Sequence, residues 1–207
     1  MFRKITEDVY SVGVIDWHRK LFDELIPLPD GTSYNSYFIK GGKKNAIIDT
    51  VEPDFEQDFL DNLDQVGVEK IDYIISNHAE QDHSGTIPLL LEKFPEAEVL
   101  CSAKAKPMLL DLLDVEEDQI RIVEDGETLD LGGKTLEFIY TPWVHWPETM
   151  STYLQEENAL FPCDFFGSHL ATSDLYVEDE QEVLKAAKRY YAEIMMPFRK
   201  VIKANLT

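Results

Sequence analysis

Between Ile71 and Gly85 the sequence reads I-D-Y-I-I-S-N-H-A-E-Q-D-H-S-G, an apolar run of strand length that ends in two imidazoles and two carboxylates within six residues. A chain that delivers His78, Glu80, Asp82 and His83 to one loop calls for a sheet whose strand ends form a functional face. Mixed nitrogen and oxygen donors in such a loop suit a transition-metal site with a position open to substrate. A solvated polar turn is the ordinary reading of one isolated pair of such residues. Four of them, bracketed by the predicted strand Tyr73 to Ser76 and the turn signal Ser84-Gly85, favour the metal site.

Periodicity around this loop predicts a layered α/β fold. Strands are expected over Val9 to Val14, Ser33 to Ile39 and Ala46 to Asp49, with turn chemistry at Pro29-Asp30-Gly31 and Gly41-Gly42. Apolar residues at helical spacing (Phe55, Phe59, Leu60, Leu63, Val66) predict a helix over Glu52 to Val66, ahead of a strand from Ile71 to Ser76. A helix over Thr86 to Glu92, a buried strand over Glu98 to Ser102 and a short helix over Lys104 to Leu113 continue the alternation. Five strands are then expected at Ile120 to Val123, Thr128 to Leu131, Thr135 to Thr141, Thr149 to Leu154 and Ala159 to Pro162, separated by D-G, G-G and E-E-N turns. A long amphipathic helix from Glu180 to about Lys203, interrupted at Pro197, closes the pattern. No repeat, low-complexity segment or linker divides the chain, so one domain over residues 1–207 is expected. The absence of a closing strand for the second sheet after that helix reads as an incomplete unit.

Composition narrows the partners. At 207 residues, with 44% hydrophobic content, the chain can bury a sizeable core. A formal charge of −21 without a basic stripe excludes nucleic acid and anionic membrane surfaces as partners. No run of about 18 apolar residues is present and the start M-F-R-K-I-T-E-D lacks a signal-peptide core, so a cytoplasmic protein is expected. Cys101 and Cys163 lie far apart in strand-like runs and read as packed thiols.

Two later residues repeat the strand-end placement of His78. His145 follows the strand expected to end at Thr141, in T-P-W-V-H-W-P-E-T-M, and Asp164 follows the one expected to end at Pro162, in F-P-C-D-F-F-G. The pattern H-x-E-x-D-H, a His after 61 further residues and an Asp after 18 more resembles the metallo-β-lactamase-like domain of the flavodiiron proteins, the A-type flavoproteins that reduce oxygen or nitric oxide. The similarity runs nearly the whole chain, through V-Y-S-V-G-V-I-D-W, S-Y-N-S-Y, N-H-A-E-Q-D-H-S-G, H-W-P-E-T-M and D-F-F-G-S-H-L-A-T-S.

The resemblance implies a four-layer αββα sandwich lacking its C-terminal closing segment, and a non-haem site of two iron ions. His78, Glu80 and His145 would hold one iron, Asp82 and His83 the other, with Asp164 as the bridge. O2 would be reduced to water, or NO to N2O, with electrons from FMN. In the family that flavin sits in a flavodoxin-like domain after the metal domain and is supplied by the partner subunit of a head-to-tail homodimer; neither that domain nor the family's seventh ligand, a His some 60 residues beyond the bridging Asp, falls within this chain. Tyr190 matches a tyrosine near the diiron pocket, with a plain core aromatic as the alternative. His169 lies close to Asp164, Asp23 stands where some members have a pocket histidine, and Trp143 and Trp146 are expected to shield the site or to pack at a subunit interface. Where the wider fold has H-x-H-x-D-H and mostly zinc hydrolases, this chain has Glu80, and a carboxylate in place of an imidazole favours iron and a ferric state. Two rival readings stay open: a dinuclear zinc hydrolase, and a stand-alone diiron oxygen-binding sensor.

Overall fold

In a computed structural model of the chain, which describes residues 2–206, the apolar run before His78 forms the strand Tyr73–Ser76. Met1 and Thr207, the ends of the expected domain, lie outside the described residues. The strand pairs in parallel with Asn45–Ile48 on one side and Glu98–Cys101 on the other. Parallel strands are covered on both faces, so successive side chains serve different layers. Ile47, Ile74 and Val99 pack into one core with Phe59, Leu63, Leu90 and Leu109 of the helices Glu56–Val66, Ile87–Lys93 and Ala105–Leu112. Ile48, Ile75 and Leu100 point the other way, into a second core with Leu136, Phe138, Met150 and Leu154.

The first sheet has seven strands, in the order Arg3–Lys4, Val9–Ser11, Tyr37–Lys40, Asn45–Ile48, Tyr73–Ser76, Glu98–Cys101 and Ile120–Ile122. The second is an antiparallel meander of Thr128–Asp130, Thr135–Tyr140, Met150–Leu154 and Ala159–Phe161. Helices, sheet and sheet stack as in a metallo-β-lactamase-like sandwich, and the outer face of the second sheet carries the exposed Ile139 and Leu160.

Most expected elements form close to their expected ends, and the departures have local causes. The run Val9 to Val14 is two strands, Val9–Ser11 in the large sheet and Val14–Asp16 paired with Thr32–Tyr34 in a separate ribbon. The chain changes sheets at Val12-Gly13, where the buried Asn62 amide donates to both carbonyls at 3.0 Å. A side chain at Gly13 would meet Tyr34 O at 2.1 Å, so only glycine fits there. The expected strand Ser33 to Ile39 divides in the same way, because Ser36 O accepts the amides of Val12 and Gly13 instead of continuing a ladder.

The hairpin Leu21–Phe22/Ile26–Pro27 carries no periodic signal; its turn holds Asp23 and Glu24 at positive φ. The last helix is not continuous. It runs as Glu180–Tyr190, capped by the Asp179 carboxylate on the amides of Gln181 and Glu182, then as a π turn Tyr191–Met195, a 3-10 turn Met196–Phe198 and a helix Arg199–Asn205. Cys101 is buried in its strand, whereas Cys163 opens a 3-10 turn after the last strand rather than lying within it. Among the described residues no helix is long and apolar enough to cross a membrane.

Replacing Asn62 by Ala should remove the partner of the buried Val12 carbonyl and of the half-buried Gly13 carbonyl and lower the unfolding free energy by about 2 kcal/mol. Urea melts should show the loss as a reduced midpoint at unchanged slope.

Candidate metal centre

Every residue singled out from the strand-end pattern reaches one buried cup between the two sheets. His78 leaves the strand Tyr73–Ser76 directly, and Glu80 ends the loop as the residue before the single helical turn Gln81–Ser84. That turn closes with His83 N and Ser84 N donating to Glu80 O, both at 2.9 Å, and so aims Asp82 and His83 back at the cup. Gly85 follows because a Cβ there would meet Gln81 O at 2.5 Å and Pro53 Cδ at 2.6 Å. His145 and Asp164 arrive from the second sheet, after Thr135–Tyr140 and Ala159–Phe161.

One ligand atom from each of His78, Glu80, His145 and Asp164 lies within 4.8 Å of the other three. Glu80 Oε2 is 3.0 Å from His78 Nε2 and 3.3 Å from His145 Nε2, and Asp164 Oδ2 is 3.2 Å from His145 Nε2 and 3.6 Å from His78 Nε2. The other oxygen of Asp164, Oδ1, is 3.1 Å from His83 Nε2, which lies 3.6 Å from Asp82 Oδ2. Metal–ligand bonds of about 2.1 Å separate neighbouring donors by roughly 3.0 to 3.4 Å in octahedral or tetrahedral arrangements. The donors are therefore spaced as a metal needs them, in two groups joined by one carboxylate.

Two carboxylates that the strand-end reading passed over hold the imidazoles. Glu148 Oε1 is 2.7 Å from His78 Nδ1 and accepts from Ala79 N at 3.1 Å, while Ser102 Oγ donates to Glu148 O at 2.7 Å. Asp49 Oδ2 is 3.4 Å from His83 Nδ1, and Asp49 Oδ1 accepts from Asn77 N at 2.7 Å. A carboxylate behind a histidine fixes the ring and frees its other nitrogen for a metal. Asp49 ends a strand as His78 and Asp164 do, so the same rule applied evenly would have found it. Asn77 ties the sheets together: its amide donates to Phe161 O at 3.0 Å and its carbonyl accepts from Thr152 Oγ1 at 2.7 Å.

The cup opens into a cavity of about 250 Å³ lined by Phe22, Asp23, Ile26, Trp146, Tyr190 and Ile194 together with Glu80, Asp82, His145 and Asp164. Tyr190 is thus a buried core aromatic and a cavity wall at once, packed edge-on against His169 with ring centres 4.9 Å apart. Trp146 sits edge-on to His78 at 5.1 Å and covers the histidines, whereas Trp143 is exposed and stacks on Phe198. His169 borders the cavity and is not among the four clustered donors.

The model of a family described as "ODP family beta lactamase" matches residues 32–206. The flavo-diiron protein FprA2 of Clostridium acetobutylicum is 38% identical over 98% of this chain and 52% of its own length. A nitric oxide reductase of Moorella thermoacetica is 37% identical over 98% of this chain and 51% of its own length. The crystal structure of the flavodiiron protein from Giardia intestinalis superposes with a TM-score of 0.90 at 34% identity, covering 99% of this chain and 51% of that one. The chain belongs to the ODP beta-lactamase family, and within it to the flavodiiron proteins. It spans about half the length of the curated relatives it matches.

The electrostatics of this flavodiiron chain test whether its donors suit metal. Burial disfavours charge on every member of the cluster, and at the histidines it is outweighed. Hydrogen bonds to Glu148 and Glu80 hold His78 up at about 10, and those to Asp164 and Glu80 hold His145 up at about 9. His83 is raised against its burial by Asp82 and Asp164. Glu80 is drawn down to about 2, despite burial, by His145 and His78, and Asp164 is lowered by His83 and His145. Asp82 is the odd member: burial pushes it up to about 7, and its buried Oδ1 has no hydrogen-bond partner. Protons on the imidazoles thus supply positive charge that the carboxylates require, and the orphaned oxygen of Asp82 marks where further cationic charge is wanted. The cluster fits metal cations.

Because raised imidazoles must give up protons to ligate, metal uptake by the apo protein should release protons at neutral pH. Its affinity for Zn(II) or Fe(II) should rise by about tenfold or more per pH unit from 7 to 9, measured by competition with a chelator. A flat profile would contradict the protonation described. Glu148→Gln should weaken metal binding by about 10- to 100-fold while leaving the far-UV circular dichroism unchanged.

Proposed function

We propose that this chain is the metal-binding part of a flavodiiron reductase of O2 or NO. Residues 1–207 form one metallo-β-lactamase-like domain, and a flavodoxin-like FMN domain completes the whole protein. His78, Glu80 and His145 would hold one iron and Asp82 and His83 the other, with Asp164 offering an oxygen to each group. The observation that carries this reading is the two-sided environment of Asp164, with Oδ2 at 3.2 Å from His145 and Oδ1 at 3.1 Å from His83. When bound, a pair of iron ions would supply the redox chemistry that a diatomic substrate requires.

The chain's own residues provide the setting. Glu148 and Asp49 keep His78 and His83 oriented, so that their Nε2 atoms stay aimed at the cup. Phe22, Ile26, Trp146 and Ile194 give the cavity an apolar part of its wall, suited to a small uncharged diatomic. Glu80 supplies an anionic oxygen donor where a zinc hydrolase of the wider fold has an imidazole, which supports iron and redox chemistry over hydrolysis. Electrons come from FMN of the partner subunit in a head-to-tail homodimer, and the protein works in the cytoplasm.

Metal analysis of protein purified without added metal, with its visible spectrum in air, tests the proposal. About two irons per chain with ferric charge-transfer absorption are expected; zinc alone with a featureless spectrum would move the assignment to hydrolysis. Glu80→His should shift the retained metal toward zinc and abolish O2 consumption by the chemically reduced protein. Unchanged iron content and turnover would remove the role given to Glu80.

A further inference from the structure

One side of the cavity is closed by a hairpin that belongs to neither large sheet. Its strands, Leu21–Phe22 and Ile26–Pro27, pair only with each other. Each is two residues long, and the turn between them holds Asp23 and Glu24 at φ of 49° and 56°, a conformation that residues with side chains rarely adopt. Phe22 is 6% exposed and lines the cavity with Asp23 and Ile26, whereas Leu21 and Leu25 are 46% and 77% exposed. The hairpin therefore stands between the cavity and solvent. A two-stranded ribbon is marginally stable by itself, so its position depends on what ties it to the rest of the protein.

Arg19, which is not part of the cavity wall, supplies much of that tie. Its Nε donates to Leu21 O at 3.1 Å, and its guanidinium lies over the Phe22 ring, 5.1 Å from the centre. The same group reaches the body of the protein through Nη1, which donates to Tyr34 Oη at 3.0 Å and is 3.3 Å from Glu52 Oε2. Both partners are firmly placed. Tyr34 is buried, packs against Phe55 with ring centres 5.5 Å apart and donates to the buried Asp16 carboxylate at 3.1 Å. Glu52 leads into the 3-10 turn that precedes the helix Glu56–Val66. The other oxygen of Asp16 accepts the amides of His18 and Arg19 at 3.0 and 2.9 Å and so fixes how the chain leaves the strand Val14–Asp16. A planar guanidinium bonds in several directions at once, which suits one residue to joining two bodies. Beyond Arg19, Phe22 rests on the His169 ring with centres 5.0 Å apart, and Leu28 N donates to Lys20 O at 2.9 Å across the base of the hairpin.

We propose that Arg19 is a positioning residue that latches this hairpin over the metal centre, and that release of the latch swings the hairpin aside to let a small ligand in or out. The latch follows from the contacts of Arg19; only the nature of the ligand rests on the diiron reading. Because Arg19 does not line the cavity, free and ligand-bound protein open alike. A weaker latch then speeds entry and departure by the same factor and leaves affinity where it was.

Arg19→Met keeps an apolar stem and loses every donor, while Arg19→Lys keeps the charge without the fork. With azide as the probe of the iron-loaded protein, stopped-flow absorption should show association and dissociation both about tenfold faster in Arg19→Met, at a dissociation constant within about threefold of the original. Arg19→Lys should fall between the two. Unchanged rates, or a loss of affinity without faster association, would overturn the gate. In the metal-free protein, the amides of Leu25 and Leu28 should exchange hydrogen through a local opening that added urea does not promote, and about tenfold faster in Arg19→Met. Exchange of these amides only by global unfolding would overturn the proposal whatever the metal content. A protein that takes up no iron would defeat the diiron reading instead, and hydrogen exchange would then decide the latch by itself.

Discussion

Asp164 offers its two oxygens to opposite sides of one buried cluster, and much of the surrounding architecture serves to keep it there. Three carboxylates and three imidazoles cannot share a largely buried cup unless their charges cancel. In the chain alone that cancellation comes from protons on His78, His83 and His145, each raised against its own burial. Metal cations would do the same with stronger, directional bonds, and the spacing of 3.0 to 3.6 Å between donors suits them.

Holding such a cluster is a problem of rigidity, which the sandwich solves by bringing strand ends of both sheets to one face. The alternation at Ile74 and Ile75 anchors the strand Tyr73–Ser76 in two cores, so the residues that follow it have little freedom. Asn77 then bonds across to Thr152 and Phe161 of the second sheet, and Ser102 fixes the backbone of Glu148. Ligand positions thus rest on sheets, while the cavity walls come from irregular pieces: the hairpin turn at Asp23, the segment around His169 and the π turn after Tyr190. π turns interrupt helices at functional sites often enough to fit this role. The elements that place the donors are thus separate from the irregular segments that shape the cavity.

Much of this was legible beforehand, and for reasons of periodicity. Continuous apolar runs marked the parallel strands, and ligand-type residues placed directly after predicted strands marked His78, His145 and Asp164. The pattern failed where the backbone answers to a distant partner. Nothing local announces that Asn62 will take the carbonyls of Val12 and Gly13 and divide a six-residue run between two sheets. Asp23 and Glu24 sit at positive φ in a hairpin of two-residue strands, too short for any period to register.

The sequence by itself determined which side chains could ligate, which strands would deliver them and, through Glu80, the chemical character of the donor set. Those properties follow from residue type and from order along the chain. Only the tertiary structure decided that Asp164 faces two ways, that Glu148 and Asp49 stand behind particular imidazoles, and that His169 is held by Thr32. Each of these joins residues tens of positions apart, and their pairing is set by how two sheets pack rather than by any local pattern.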